Sequence, residues 1–474
     1  MIQARKFGTF KKLIVVAAAI ALQYSCVTQK YAHPGLAVNG GLYRDSSATD
    51  SNNIARLPYK ALFSDTVLQG LIAEGLQQNL DLKTALQRME EARQNFQQSR
   101  AAYLPDLSAS GNVTRSRLSP ASQNLPPQFL NSFPLTTTSY QAALSSTWEA
   151  DIWGKLKSSK RSYFAAFLQN DAARRVIQTQ LIANIAGYYY NLLSLDEQLR
   201  ITQQTLRTRE EDVTTMKALK ESAVVTGAAV VQSEANRAAA EVLIPDLKQQ
   251  IRETENALSV LLGRVPGPVR RNTLGEQVPY QNLKAGVPSQ LMQNRPDVQE
   301  AEFSFRVAFE NVNVAKTYFY PQLTITAQGG LSTINIRNFF DNSIFYNIIG
   351  GLTQPIFNKR QNKTRLRIAQ AQQKEAFYAY QRSLLNAGAE VSNALYAYQT
   401  AVEKQNARRG QIQSLEKSVD FTKELLRYSS ATNYTDVLTS EQSLLSAQLS
   451  AVNDRLQQLQ AIVDLYRALG GGWQ

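Results

Sequence analysis

Among 474 residues there is one cysteine, Cys26, and one histidine, His33. No disulfide can form within the chain, and metal centres built on Cys and His are excluded. No G-x-S-x-G, P-loop or G-x-G-x-x-G stands between a strand and a helix, so the common nucleophile and phosphate-cradle chemistries have no foothold. Nothing in the sequence asks for an enzyme or a cofactor. Basic residues exceed acidic ones, 51 to 38, yet they are scattered singly among Gln, Ala and Glu instead of clustering with aromatics. That distribution keeps helices soluble and gives no nucleic-acid face.

Acids are also missing from the N-terminus, where Arg5, Lys6, Lys11 and Lys12 precede the ten apolar residues Leu13 to Leu22. At about 1.5 Å per residue such a run covers only half of a ~30 Å hydrocarbon core, so it reads as a cleaved secretory signal over 1–25. Cys26 then follows the small Ser25, as in a bacterial lipobox, where the cysteine is acylated and becomes the first mature residue. Gln23 and Tyr24 depart from the usual lipobox, which leaves ordinary cleavage beside an incidental thiol as the alternative. Removing 1–25 leaves 449 residues with 47 basic and 38 acidic side chains.

The remainder says nearly the same thing twice. Tyr103-Leu-Pro-Asp-Leu-Ser-Ala-Ser returns as Tyr320-Pro-Gln-Leu-Thr-Ile-Thr, and Asp151-Ile-Trp-Gly-Lys as Pro355-Ile-Phe-Asn-Lys. Val230-Val-Gln-Ser-Glu returns as Val437-Leu-Thr-Ser-Glu, and Leu261-Leu-Gly as Ala468-Leu-Gly. The order of matches is preserved, so the chain is internally duplicated. An acylated leader, 26–63, precedes a first repeat over 64–270 and a second over 271–474. Each repeat reads as helix, strand, loop, strand, very long helix, turn and long helix. The leader, lacking periodicity, is expected to be an extended wrap.

Four segments alternate with period two, at about 104–117, 138–153, 321–334 and 344–357. Leu107, Ala109, Gly111 and Val113 oppose Ser108, Ser110, Asn112 and Thr114; Leu323, Ile325, Ala327 and Leu331 oppose Gln322, Thr324, Thr326 and Gln328. One face is greasy and the other wet, with Glu149 and Asp151 among the wet positions. A soluble sandwich would need a second sheet, for which no sequence remains. Strands of this length suit a tilted bilayer crossing, but four cannot close a barrel, and an open sheet in lipid strands its backbone donors. Several protomers must therefore pool their strands.

Residues 156–220 and 360–428 contain no proline, and each is on the order of 100 Å as a helix. Ile185, Leu192, Leu199, Leu206 and Val213 recur every seven residues, as do Leu384, Val391, Tyr398, Ile412, Val419 and Leu426, with Gln405 interrupting. That period means coiled-coil packing. Two returning helices carry matching seams, Ile244 to Leu261 and Leu445 to Tyr466, with a bend expected at Pro245.

Leu291-Met-Gln-Asn-Arg-Pro-Asp-Val-Gln-Glu-Ala-Glu, running on to Tyr320-Pro-Gln-Leu-Thr-Ile, resembles the R-P-D-[IV]-x-x-A-E motif of the TolC-like outer-membrane efflux proteins. The lipid-anchored branch serving resistance-nodulation-division pumps is most similar. The ending Tyr466-Arg-Ala-Leu-Gly-Gly-Gly-Trp and the start Cys26-Val-Thr-Gln-Lys-Tyr-Ala-His-Pro resemble that branch too. The resemblance implies a mainly α chain with a membrane β-barrel. Three protomers, a homotrimer, would pool four strands each into a twelve-stranded barrel in the outer membrane, above a periplasmic α-helical tube. It implies a periplasmic adaptor and an inner-membrane pump of the resistance-nodulation-division type as partners, contact with outer-membrane lipid, and passive export of small molecules. No nucleic acid takes part, and the only covalent addition is lipid on Cys26. A protein-secretion duct and a periplasmic coiled-coil scaffold are the competing readings, the second at odds with four amphipathic strands.

The same resemblance makes Arg295, Pro296 and Asp297 a structural motif and places the entrance at the turn after residue 427. There Asp436 matches one acid of a D-V-L-D motif, while Thr439 fills the second acidic slot and Ala431 replaces a usual glycine. Three carboxylates instead of six would then ring the gate, with Arg427 and Tyr428 as latches to the turn at Ser222 to Gly227. Replacing Cys26→Ser is expected to abolish incorporation of radiolabelled fatty acid; retained label would refute acylation at Cys26.

Overall fold

The computed structural model describes residues 27–33, 53–119, 121, 134–281, 283, 285–286, 290–428 and 434–473. The signal, Cys26 and most of the leader lie outside the described residues. In chain order the main elements are α1 (Thr66–Gln78), α2 (Leu80–Ala101), β1 (Ser108–Arg117), β2 (Thr136–Ala150), α3 (Lys155–Glu221) and α4 (Gly227–Leu261). The second half supplies α5 (Pro296–Thr317), β3 (Gln322–Thr333), β4 (Ile344–Thr353), α6 (Gln361–Tyr428) and α7 (Tyr434–Ala468). Lengths repeat as the words do: 22 residues in α2 and α5, 67 and 68 in α3 and α6, 35 in α4 and α7. The chain is thus mainly helical, with one four-stranded sheet and an internal duplication.

Contacts divide it into two units, 1–34 with 90–168 and 303–378, and 35–89 with 169–302 and 379–474. The first holds the sheet, antiparallel throughout in the order β1-β2-β3-β4. Register puts Val113 opposite Tyr140, Leu144 opposite Gly329, Trp148 opposite Ile325 and Leu323 opposite Leu352. Because side chains alternate, these residues share one face, and Ser110, Ser145, Thr147, Thr326 and Gln328 share the other.

The strands are shorter than alternation alone suggests, and their ends have local causes. β2 stops at Ala150 because Asp151 leaves the sheet to accept the backbone N–H groups of Leu156 and Lys157 at 2.9 and 2.8 Å, capping α3. Asp151 is therefore no wet-face strand residue. Glu149 keeps that place, holding Lys155 Nζ at 3.0 Å and Gln322 Nε2 at 2.7 Å. β3 begins only after Pro321, which has no N–H to give, and β4 ends at Thr353, just before Pro355. β1 starts at Ser108, because Leu104 N–H still closes onto Ala101 C=O at the end of α2.

The described leader is not simply extended. Ile54–Arg56 forms a 3₁₀ turn and Tyr59–Leu62 an α turn, which bury Ile54 and Leu62 in the core of the second unit. Residues 27–33 run along α5 in the first unit. There the Asn313 carboxamide clasps Gln29, accepting from its N–H at 3.1 Å and donating to its C=O at 2.9 Å.

In the second unit the heptad positions point inward: Ile185, Leu192, Val213, Leu384, Val391 and Val419 are buried. Gln405, the interruption, donates to Gln458 Oε1 at 2.9 Å, so a polar layer replaces an apolar one without leaving an orphan. α4 continues through Pro245. The repeated Leu-Gly words are helix stops. Gly263 and Gly470 sit at φ +68 and +85, each with the paired backbone bonds of a Schellman cap. A Cβ on Gly470 would come within 2.3 Å of Asn294 C=O, so this position requires glycine twice over.

α3 ends in the same cap with Ala223 at φ 58, its N–H bonded to Lys220 C=O at 3.0 Å and Val224 N–H to Leu219 C=O at 2.9 Å. A left-handed Cβ costs about 1–2 kcal/mol. Relief of that strain outweighs the extra chain entropy of glycine, ~0.4–1 kcal/mol. Ala223→Gly is expected to stabilise the turn by ~0.5–1 kcal/mol, slowing hydrogen exchange at the Val224 amide severalfold. Faster exchange would mean that the turn does not hold this cap.

Candidate functional site

The sheet's greasy face has no cover among the described residues. Val113, Ile344, Tyr346 and Ile348 are each at least 70% exposed, with Leu144 and Leu352 beside them. An apolar patch spread over four strands is far beyond what a soluble monomer leaves in water. No described helix is long and apolar enough to cross a membrane. At the rim where β2 and β4 end, Trp153 stacks on Tyr320 with centroids 4.9 Å apart, and its indole N–H donates to Pro321 C=O at 2.7 Å.

At the other long-helix ends, Met216 of α3, Val230 of α4, and Tyr434 and Val437 of α7 bury one another in a small cluster. This holds the turn after α3 against the start of α7. Asp436 is exposed in the first turn of α7, where a carboxylate faces the positive helix end. Tyr428 closes α6 and is 85% exposed. Arg427 precedes it in the helix, and its side chain lies outside the described set, as do residues 429–433. Thr439, in the second acidic slot, spends its hydroxyl on Thr435 C=O at 2.8 Å.

Behind this end lies a group that the sequence did not reveal. Lys423 of α6 sits between Asp212 of α3, at 3.3 Å, and Glu441 of α7, at 2.6 Å. Two nearly buried carboxylates share one ammonium, and Asp212 Oδ2 and Glu441 Oε2 find no hydrogen-bond donor among the described residues. Burial first, and then the Glu441 charge, push the Asp212 carboxyl up to about 6, against the pull of Lys423. The two carboxylates hold Lys423 above its usual range although burial works the other way. Beside them runs a cavity of about 780 Å³ whose lining includes Arg200, Arg209, Lys423 and Arg455.

Arg295, Pro296 and Asp297 lie elsewhere in the same unit. Pro296 opens α5 and Asp297 falls in its first turn. Arg295 is buried and fills four donor sites: Asp297 twice, at 2.8 and 2.6 Å, Glu390 at 2.9 Å and the Ala468 carbonyl at 2.9 Å. The chain ending docks on the same spot, with Trp473 Nε1 donating to Asn294 C=O at 2.8 Å and the Arg175 guanidinium 4.5 Å above the indole. The pairing of the Gly-Gly-Gly-Trp tail with this stretch spans 179 residues, from Trp473 to Asn294, and had no local signal. Asp65 was missed likewise. It caps α1 through Val67 and Leu68 N–H and also accepts from Tyr189, Asn272 and Gln277; burial works to raise its carboxyl, but the bonds from Tyr189, Gln277, Leu68 and Val67 hold it below the usual range.

The outer membrane efflux protein family matches residues 71–264 and 287–471. The pyoverdine export outer membrane protein OpmQ of Pseudomonas putida is 31% identical over 453 residues, 95% of each chain. The probable outer membrane lipoprotein SilC of Salmonella typhimurium is 27% identical over 98% of this chain and 99% of its own. The open-state MtrE outer membrane channel of Neisseria gonorrhoeae superposes with a TM-score of 0.82 at 25% identity, covering 94% of this chain and 98% of its own.

A carboxyl that the fold raises from 3.8 to about 6 binds more protons folded than unfolded between those values. Its contribution is full below pH ~4 and is lost as pH rises through ~6. Amide protection around Lys423 and Glu441 is therefore expected to weaken severalfold from pH 5 to 7. Asp212→Asn should flatten that slope and raise protection at pH 7. An unchanged slope in the variant would remove Asp212 as its source.

Proposed function

The chain belongs to the outer membrane efflux protein family, and from that premise we propose that three copies close their sheets into a twelve-stranded barrel, forming the passive exit duct of a tripartite export system. The observation that carries this reading is the uncovered greasy face of a sheet whose outer strands, β1 and β4, have no partner on their far sides among the described residues. In lipid each unpaired backbone group costs several kcal/mol, so the edges must be filled, and identical sheets are the simplest fill. The wet face, rich in Ser, Thr, Gln and Asn, then lines the barrel interior.

The coiled-coil helices continue the duct on the periplasmic side, where an adaptor links them to an inner-membrane pump of the resistance-nodulation-division type. Energy and selection belong to that pump; the duct carries small molecules without a covalent step. A lipid on Cys26 tethers the leader. At the turn after α6, three copies of Asp436 converge around the entrance. Like charges held close in a narrow pore repel one another and attract cations, so the ring favours opening and binds multivalent cations while closed. Arg427 and Tyr428 latch neighbouring turns together.

Unboiled samples of the membrane fraction are expected to migrate near three times 52.8 kDa and to collapse to the single-chain size on boiling. A chain that runs as a monomer in both lanes would overturn the duct. In planar bilayers Asp436→Asn should weaken block by multivalent cations severalfold; an unchanged blocking profile would remove Asp436 from the entrance.

A further inference from the structure

Both places where a strand hands over to a long helix carry the same charge pattern. From Ile152 to Asn170, after β2, stand Lys155, Lys157, Lys160 and Arg161 and no acid. From Gln354 to Gln373, after β4, stand Lys359, Arg360, Lys363, Arg365 and Arg367 and again no acid. Some of these have internal work. Lys155 pairs with Glu149, Arg161 lies 3.9 Å from Glu310, and Arg365 stacks 3.9 Å above the Tyr318 ring. Lys160, half-buried, sits 5.8 Å above the Tyr103 ring; the other five, Lys157, Lys359, Arg360, Lys363 and Arg367, are exposed and form no ion pair among the described residues.

Their height on the sheet is fixed by register. Ala150 pairs with Leu323, and Gln322 with Thr353, so the ends of β2 and β4 and the start of β3 form one rim. Going outward from the greasy face, the chain shows Trp153 and Tyr320 stacked at that rim, then the exposed ring of Phe357, then the cations. Apolar, aromatic, cationic is the order in which a bilayer presents hydrocarbon, interface and phosphate. Long Lys and Arg stems suit this, lying on apolar surface while the charge reaches the headgroups. A cavity of about 870 Å³ bordered by Tyr318, Asn358, Lys359, Thr364 and Arg365 opens beside them, room enough for a phosphoglycerol headgroup.

We infer that the outward cations Lys157, Lys359, Arg360, Lys363 and Arg367 form a belt that binds the anionic phospholipid headgroups of the leaflet at the periplasmic rim of the barrel. The belt rests on the proposed barrel, since it needs the greasy face to lie in lipid. It sets the depth of the sheet: sinking would drag charges into hydrocarbon, and rising would pull the aromatic rim into water.

The test compares full-length protein reconstituted in phosphatidylcholine alone and in phosphatidylcholine with one part in three phosphatidylglycerol. Two quantities are read: the temperature at which the oligomer dissociates, and the phosphatidylglycerol retained per oligomer by native mass spectrometry. Wild type should dissociate several degrees higher with phosphatidylglycerol, and high salt should erase the gain. The fourfold variant Lys359→Gln, Arg360→Gln, Lys363→Gln, Arg367→Gln should conduct normally in phosphatidylcholine, lose the gain and retain at most half the lipid. A conducting wild type indifferent to phosphatidylglycerol overturns the belt and leaves the duct standing. So does a variant with an altered anion-to-cation permeability ratio and an unaltered lipid response, because its cations would then line the pore. Protein that neither inserts nor conducts in either lipid overturns the duct reading and the belt with it.

Discussion

The constraint on which the rest depends is that backbone N–H and C=O groups at a sheet edge cannot be left bare in hydrocarbon. β1 and β4 are the outer strands of a four-stranded sheet with one uncovered apolar face, so the described residues of one chain meet the constraint on three ladders and leave both edges open. Neither edge strand contains proline; β1 carries Arg115 and Arg117, while β4, from Ile344 to Thr353, has no Asp, Glu, Lys, Arg or His. The sequence is built for pairing with its own kind.

Duplication supplies the geometry cheaply but lets the two halves diverge where duties differ. Both return helices end in a glycine Schellman cap, at Gly263 and Gly470, because packing after the cap admits no Cβ at either place. The turns at the opposite ends are not held to one standard. The first uses Ala223 in the same left-handed position and accepts the strain, whereas the second opens α7 with Asp436 where the first repeat has Ala229. At this position the two copies of the repeat differ by an acid against an alanine.

Much of the fold was legible because its signals are periodic. Alternation in Leu323 to Leu331 marked a strand with a greasy face, and sevenfold recurrence from Leu384 to Leu426 marked a coiled-coil helix, and both periods survive any uncertainty about a single residue. Strand ends were less legible, since they depend on events with no period: Asp151 turning back to cap α3, Pro321 withholding an N–H. The leader's helical turns at Ile54–Arg56 and Tyr59–Leu62 are too short to show a period. The buried ionic groups were not legible at all. Asp212, Lys423 and Glu441 come from three helices, and each by itself reads as one more charged residue on a solvated face; only the packing brings them together.

Those buried charges also divide the second unit into a firm part and a yielding one. Around Arg295 four donor positions have partners, the capping acid Asp297 is supplied by the adjacent helix start, and the chain ending is bonded over the top through Trp473. A guanidinium so satisfied resists opening, because losing any one helix would strand a buried charge. The Asp212, Lys423 and Glu441 group is the converse: two carboxylates compete for one ammonium and two of their oxygens lack donors among the described residues. Separating α3, α6 and α7 there lets water solvate groups that the packed state serves badly, so separation costs less at that level than at the Arg295 level. The second unit is thus well satisfied around Arg295 and poorly satisfied around Lys423, near the cluster of Met216, Val230, Tyr434 and Val437.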